Sequence, residues 1–212
     1  MTRGAARRVP VALAVVLSGA FAVATHLALL DGLPRSAGAL LCLVPVSILA
    51  FALLRRSRHR VLAFAAIALA AAALALNWAG LERHFPGVFF LEHAGGMLLL
   101  AAIFGRTLFG GREPLVTTFA RITHGTIGED IARYTRRVTV AWTLFFLAIA
   151  TASIALYTSG RMEAWSFLVN FLTAPLIAAM FVAEYFVRHP ALPHNEHLRI
   201  HGGKSAVSRH IG

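Results

Sequence analysis

At 212 residues, 58% hydrophobic and only 14% charged, with a mean hydropathy of +0.71, the chain carries far more apolar surface than one small domain in water can bury. Composition therefore excludes an aqueous globular enzyme and selects a polytopic membrane protein. The net charge of +11 then reads as a topology signal rather than a nucleic-acid footprint, because Arg and Lys collect in cytoplasmic loops, and no nucleic-acid partner is expected.

Crossing a hydrocarbon core about 30 Å thick takes about 20 residues of apolar helix. Six such runs are predicted, from Val9 to Leu30, Ala37 to Leu54, Val61 to Leu81, Phe85 to Gly105, Val138 to Tyr157 and Ala164 to Val187. Turn and charge signals separate them: Asp31-Gly32-Leu33-Pro34, the basic cluster from Arg55 to Arg60, Pro86-Gly87 and Ser159-Gly160. Arg3, Arg7 and Arg8 precede the first run as they would in a signal peptide. The apolar stretch continues to Leu30 with no polar region after a cleavage site, so an uncleaved anchor is expected. Three basic residues precede the first span, four lie in the loop after the second, six between Arg106 and Arg137, and four in the tail. Arg35, Arg83 and Arg161 stand singly in the remaining loops. The positive-inside rule thus predicts an all-α, six-helix transmembrane bundle over residues 1–187 with both termini cytoplasmic.

Between the fourth and fifth spans lies a cytoplasmic segment, 110–137. Pro114 stands at an early helical position, and Leu115, Phe119 and Ile122 form an apolar stripe that Gly125 ends. Thr126-Ile127-Gly128-Glu129 fits a capping box opening a second helix, with Ile127, Ile131, Tyr134 and Val138 on one face and Arg133, Arg136 and Arg137 on the other. That helix is expected to run directly into the fifth span. The amphipathic, basic segment lies along the headgroup layer, where its arginines either hold anionic lipid or dock an acidic soluble partner. The tail, 188–212, contains His189, His194, His197, His201 and His210, but Pro190, Pro193, Gly202 and Gly203 break any ligand frame; a flexible tail without a metal is expected.

Polar groups inside the spans are costly in hydrocarbon and so mark candidate sites. His26, Asn77, Glu92 and Asn170 all fall about 5–9 Å below the outer helix ends at about 1.5 Å per residue, which puts them in one layer. His93, next to Glu92, projects about 100° away around the helix. Glu92 near His26 would serve proton transfer, cation binding or substrate anchoring; the alternative is that each group bonds a neighbouring helix. Near the cytoplasmic end Glu184 is expected to pair structurally with Arg106 or Arg188. Gly95, Gly96 and the alanine-rich third span read as close helix packing. Cys42, the only cysteine, lies in an apolar run and forms no internal disulfide.

The second half, from about Phe90 onward, carries a recognisable pattern: Gly111-Arg112-Glu113-Pro114-Leu115-Val116-Thr117, Phe119-Ala120-Arg121, Tyr134-Thr135-Arg136-Arg137-Val138-Thr139, Trp142, Phe145-Phe146, Trp165-Ser166-Phe167, Asn170, Met180-Phe181 and Glu184-Tyr185. It resembles an uncharacterised family of bacterial integral membrane proteins encoded near aryl-polyene or xanthomonadin-type pigment biosynthesis genes, some of them labelled ketosynthase. That label conflicts with these residues, since a ketosynthase needs a soluble thiolase-type fold with an activated cysteine, and Cys42 has nothing near it to lower its pKa. No phosphate loop, dinucleotide fingerprint, zincin motif or nucleophile elbow is present, and no cofactor is expected.

The resemblance implies a bacterial inner-membrane accessory protein of polyene-type lipid or pigment biosynthesis, and ketosynthase activity is not expected of it. Arg106, Arg112, Arg121, Arg136 and Arg137 would form a cytoplasmic face for an acyl carrier protein or anionic lipid. The alternative is a small transporter or flippase component that uses His26, Asn77, Glu92, His93 and Asn170 as an outer-layer binding cluster.

Overall fold

The computed structural model of the chain describes residues 3–124 and 128–191, with side chains over 12–122 and 128–187. Among these residues the fold is all-helical: α1 (Arg3–Leu29), α2 (Arg35–Arg56), α3 (Arg60–Leu76), α4 (Trp78–Gly105), a 3-10 turn (Arg106–Leu108), α5 (Leu115–His124), α6 (Glu129–Thr158), α7 (Met162–Phe167), a π-helical turn (Leu168–Leu172) and α8 (Thr173–Ala191). Five segments are long and apolar enough to cross a membrane: Ala12–Leu29, Arg35–Arg56, Trp78–Leu108, Glu129–Thr158 and Met162–Val187. A sixth, α3, is apolar but has only 17 residues, about 26 Å of helix, and buries none of them. Its outward Val61, Leu69 and Leu76, with Leu13, Val16 and Ile48 elsewhere, present a hydrocarbon surface suited to lipid.

Helix ends follow local chemistry. Asp31 takes the left-handed conformation at φ 58°, and the Gly32 N–H closes onto the Leu27 carbonyl at 2.8 Å, a Schellman end to α1. α6 ends the same way on Gly160, at φ +73°, with Arg161 N–H bonded to the Leu156 carbonyl. One predicted boundary moves. The third span was expected to run to Leu81 with a break at Pro86-Gly87; instead α3 stops at its C-cap Asn77, and α4 starts at Trp78 and passes through Pro86. Pro removes a single N–H, which a membrane helix absorbs locally, whereas Asn77 at φ −112° and ψ 29° leaves helical geometry outright.

The chain divides into two compact units, one of Met1–Leu100 with Phe146–Pro175 and one of Ala101–Phe145 with Leu176–Gly212. In the first, α1 packs on α2, α7 and the π turn, and α2 on α3. Its core joins Ala28, Leu29, Ala39, Cys42, Leu81, Phe85, Phe89 and Trp165.

In the second unit, hydroxyls anchor α5 to its neighbours. The first N–H groups of a helix have no partner within it; the Leu115 N–H donates to Thr107 Oγ1 at 3.0 Å and the Val116 N–H to Thr139 Oγ1 at 3.4 Å. Buried Thr117 meets buried Thr135 at 2.6 Å, and Thr117 is the donor there because Thr135 gives its own hydrogen to the Ile131 carbonyl. Of the predicted stripe, Phe119 and Ile122 are exposed and Leu115 is half-buried, while Thr117 is fully covered. A double-mutant cycle of Thr117→Val and Thr135→Val is expected to give a coupling of about 1 kcal/mol, measured by denaturant titration in micelles. Zero coupling would mean that the hydroxyl pair does not hold α5.

Candidate functional site

Side chains of the first unit build a polar layer within the apolar helices. On α1, Thr25 and His26 are successive, yet both reach the α7–π segment: Thr25 Oγ1 bonds Asn170 Oδ1, and His26 Nδ1 lies 2.8 Å from Ser166 Oγ. Asn170 Nδ2 donates to the Ser166 carbonyl at 2.9 Å and to Ser166 Oγ at 3.2 Å. The His26 ring also stands edge-on to Phe171, with centroids 5.2 Å apart.

A second network surrounds His93 on α4. Its Nδ1 is 3.0 Å from Ser153 Oγ on α6, and its Nε2 is 3.1 Å from Thr173 Oγ1 at the start of α8. Trp165 Nε1–H, which can only donate, points to Ser153 Oγ at 2.9 Å, and Thr173 Oγ1 donates to the Leu168 carbonyl at 2.8 Å. These two ends set every direction between them. Thr173 has spent its hydrogen, so it accepts from His93 Nε2–H; Nδ1 is then the acceptor for the Ser153 hydroxyl. The result is a closed chain, Trp165 to Ser153 to His93 to Thr173 to the Leu168 carbonyl, in which both ring nitrogens are used. Leu168 and Thr173 also close the backbone i to i−5 bond of the π turn. The network thus pins a helix irregularity of the kind found at functional sites.

The predicted layer is realised in part. His26 and Asn170 meet through Ser166, and His93 lies in the same unit. His93 and Glu92 diverge as the helical angle requires: Glu92 lies within electrostatic reach of Cys42 on α2, and its buried Oε1 has no hydrogen-bond partner among the described residues. No bond joins Glu92 to His26. Asn77 stays outside, exposed at the α3 end with its carboxamide turned back over Gly80. Thr25, Ser153, Ser166 and Thr173, all buried, complete the two networks without standing out in the sequence. Their only signal was small hydroxyls inside apolar runs, with Ser166 and Asn170 at i, i+4.

The predicted basic residues belong to the second unit, and all five are exposed. Arg121 is paired with Glu113 at 2.7 Å, and Arg136 donates to the Leu108 carbonyl at 3.3 Å. Arg106, Arg112 and Arg137 carry no ion pair among the described residues. Glu184 is held by the Trp142 indole N–H at 3.3 Å, and its carbonyl accepts from Tyr134 Oη at 3.3 Å. The predicted pairing with Arg106 is not formed, and the carboxylate instead accepts from the indole; the Arg188 side chain, Thr126 of the capping box and the tail histidines lie outside the described side chains. A groove of about 730 Å³ beside Leu54, Arg55, Arg60, Val61, Phe64 and Ala65 contains none of the predicted site residues. Among the described residues no three His, Cys, Asp or Glu side chains come together as a metal site. No family model, curated protein or solved structure matches this chain.

Proposed function

We propose that this chain is a small transporter or flippase component of a bacterial inner membrane, holding the polar end of a lipid-like molecule at the layer formed by His26, Ser166 and Asn170. One observation carries the reading. Polar side chains from α1 and the α7–π segment converge inside helices whose other faces are apolar, and intramembrane polar groups of this kind mark substrate pathways. The one-sided distribution of arginines supports cytoplasmic termini, which puts the layer toward the outer leaflet.

A second reading rests on the other unit. Exposed Arg106, Arg112 and Arg137, with Phe119 and Ile122 turned outward on α5, suit an accessory protein of polyene-type lipid biosynthesis that docks an acyl carrier protein or anionic lipid. The two are separated by lipid and pigment profiling of a deletion strain carrying either the wild type, His26→Ala, or the triple reversal of Arg112, Arg136 and Arg137 to Glu. The transport reading expects His26→Ala to leave total product unchanged and to lower the share reachable from outside about tenfold, the effect of about 1.4 kcal/mol. Loss of total product in the arginine reversal, with normal outward share in His26→Ala, would replace it with the accessory reading. A wild-type profile in both variants, each inserted normally, would remove both.

A further inference from the structure

The two histidines of the polar layer look alike in sequence but differ in one respect. His93 has a partner on each ring nitrogen, whereas His26 has one on Nδ1 and none on Nε2 among the described residues. Which face His26 presents follows from placing the hydrogens around it. Asn170 Nδ2 points to the Ser166 carbonyl, which only accepts, so the carboxamide orientation is settled and Oδ1 faces Thr25. The Thr25 hydroxyl faces Oδ1 and also lies 2.9 Å from the Phe21 carbonyl and 3.0 Å from the Ala22 carbonyl, so its one hydrogen has three acceptors in reach. Asn170 gives its second amide hydrogen to Ser166 Oγ. Ser166 is fully buried, and its hydroxyl hydrogen has a single acceptor within reach, His26 Nδ1. From Asn170 onward the steps run in one direction, Asn170 to Ser166 to His26, whichever acceptor Thr25 serves. The ring hydrogen of His26 then sits on Nε2, where no acceptor stands among the described residues.

We propose that His26 Nε2–H is the ligand-recognising group of the layer, and that its ligand is an anionic oxygen, the carboxylate or phosphate of an amphiphile, rather than an amine. The inference rests on the reading of this layer as a binding site. A cationic head group would meet a hydrogen where it needs a lone pair, while an anionic oxygen gains a charge-assisted bond in a medium of low dielectric. Phe171, edge-on to the ring, restricts its rotation, so the donor is aimed before the ligand arrives.

The test is nitrogen NMR on the full chain, labelled at histidine and placed in phosphatidylcholine nanodiscs. In the wild type the His26 hydrogen is expected on Nε2. Ser166→Ala, which removes the donor to Nδ1, is expected to raise the opposite tautomer about tenfold relative to the wild type, and Ser166→Thr, which keeps a hydroxyl, is expected to restore it. Hexadecanoate is then expected to shift the His26 Nε2 resonance, and hexadecylamine of the same chain length to leave it in place, with His93 unmoved by either. A hydrogen on Nδ1 in the wild type, or an equal or larger response to the amine, overturns the proposal while leaving a binding layer. The absence of any response at His26 to both amphiphiles overturns the proposal and the binding layer together. Hexadecyl phosphate in place of hexadecanoate distinguishes a phosphate-bearing ligand from a carboxylate one by which gives the larger shift.

Discussion

Trp165→Ala is expected to destabilise the fold by about 3 kcal/mol, the largest effect of any single truncation in the first unit. Trp165 is fully buried, packs edge-on against Tyr157 with centroids 5.1 Å apart, and lies near Phe90 at 6.4 Å. In a soluble core a Trp or Phe truncation costs about 3–5 kcal/mol, part of which is transfer from water. Between membrane helices packing contacts dominate, so the lower end of that range applies. Trp165→Phe separates packing from hydrogen bonding. It keeps most of the ring and removes the N–H given to Ser153, leaving an unfilled lone pair, and is expected to cost about 1 kcal/mol. Denaturant titration in mixed micelles reads both values; equal losses in the two variants would show that the indole N–H, not the ring, holds this core.

Gly38→Ala is expected to cost about 2 kcal/mol through overpacking. A Cβ at position 38 would stand 2.5 Å from Phe85 Cε2 and 2.6 Å from its Cζ. Phe85 is itself 4% exposed and in edge contact with Phe89, so its ring has no free direction in which to move. Reducing the ring should therefore rescue: Phe85→Leu in the Gly38→Ala background is expected to recover more than half of the loss, although Phe85→Leu alone is destabilising. The same titration decides it, and strictly additive losses would mean that the two sites do not share the contact. Gly80 makes a useful comparison. Its nearest neighbour is the Asn77 side chain, which is exposed and can rotate away, so Gly80→Ala should be near neutral.

The membrane character, the helical class and the approximate helix limits were legible in the sequence because each depends on local quantities: run length, charge and turn chemistry. Glycine and aspartate turns closed α1 and α6 where the punctuation pointed. Pro86 misled because its backbone restriction reads as a break in any single chain, while a helix within a membrane can continue through it. The exposed Phe119 and Ile122 on α5 suit the amphipathic segment expected along the headgroup layer, whereas the buried Thr117 was not legible, since periodicity reports that a face is apolar and not which hydroxyl packs on the other side.

The polar layer divides along the same line. Sequence by itself determined that His26, Glu92, His93 and Asn170 are anomalous in hydrocarbon, and it determined the angle that sends Glu92 and His93 apart. Tertiary structure alone decided that Ser166 joins His26 to Asn170, that Glu92 stays without a hydrogen bond at Oε1, and that Asn77 lies outside. The π turn is the physical reason for much of this. An extra residue in one turn advances everything after it by about 100°, so the position of Thr173 beside His93 cannot be read from a regular helical wheel. Which histidine is closed and which is open then follows from where each hydroxyl hydrogen can go, a property of contacts between helices that no stretch of the chain contains.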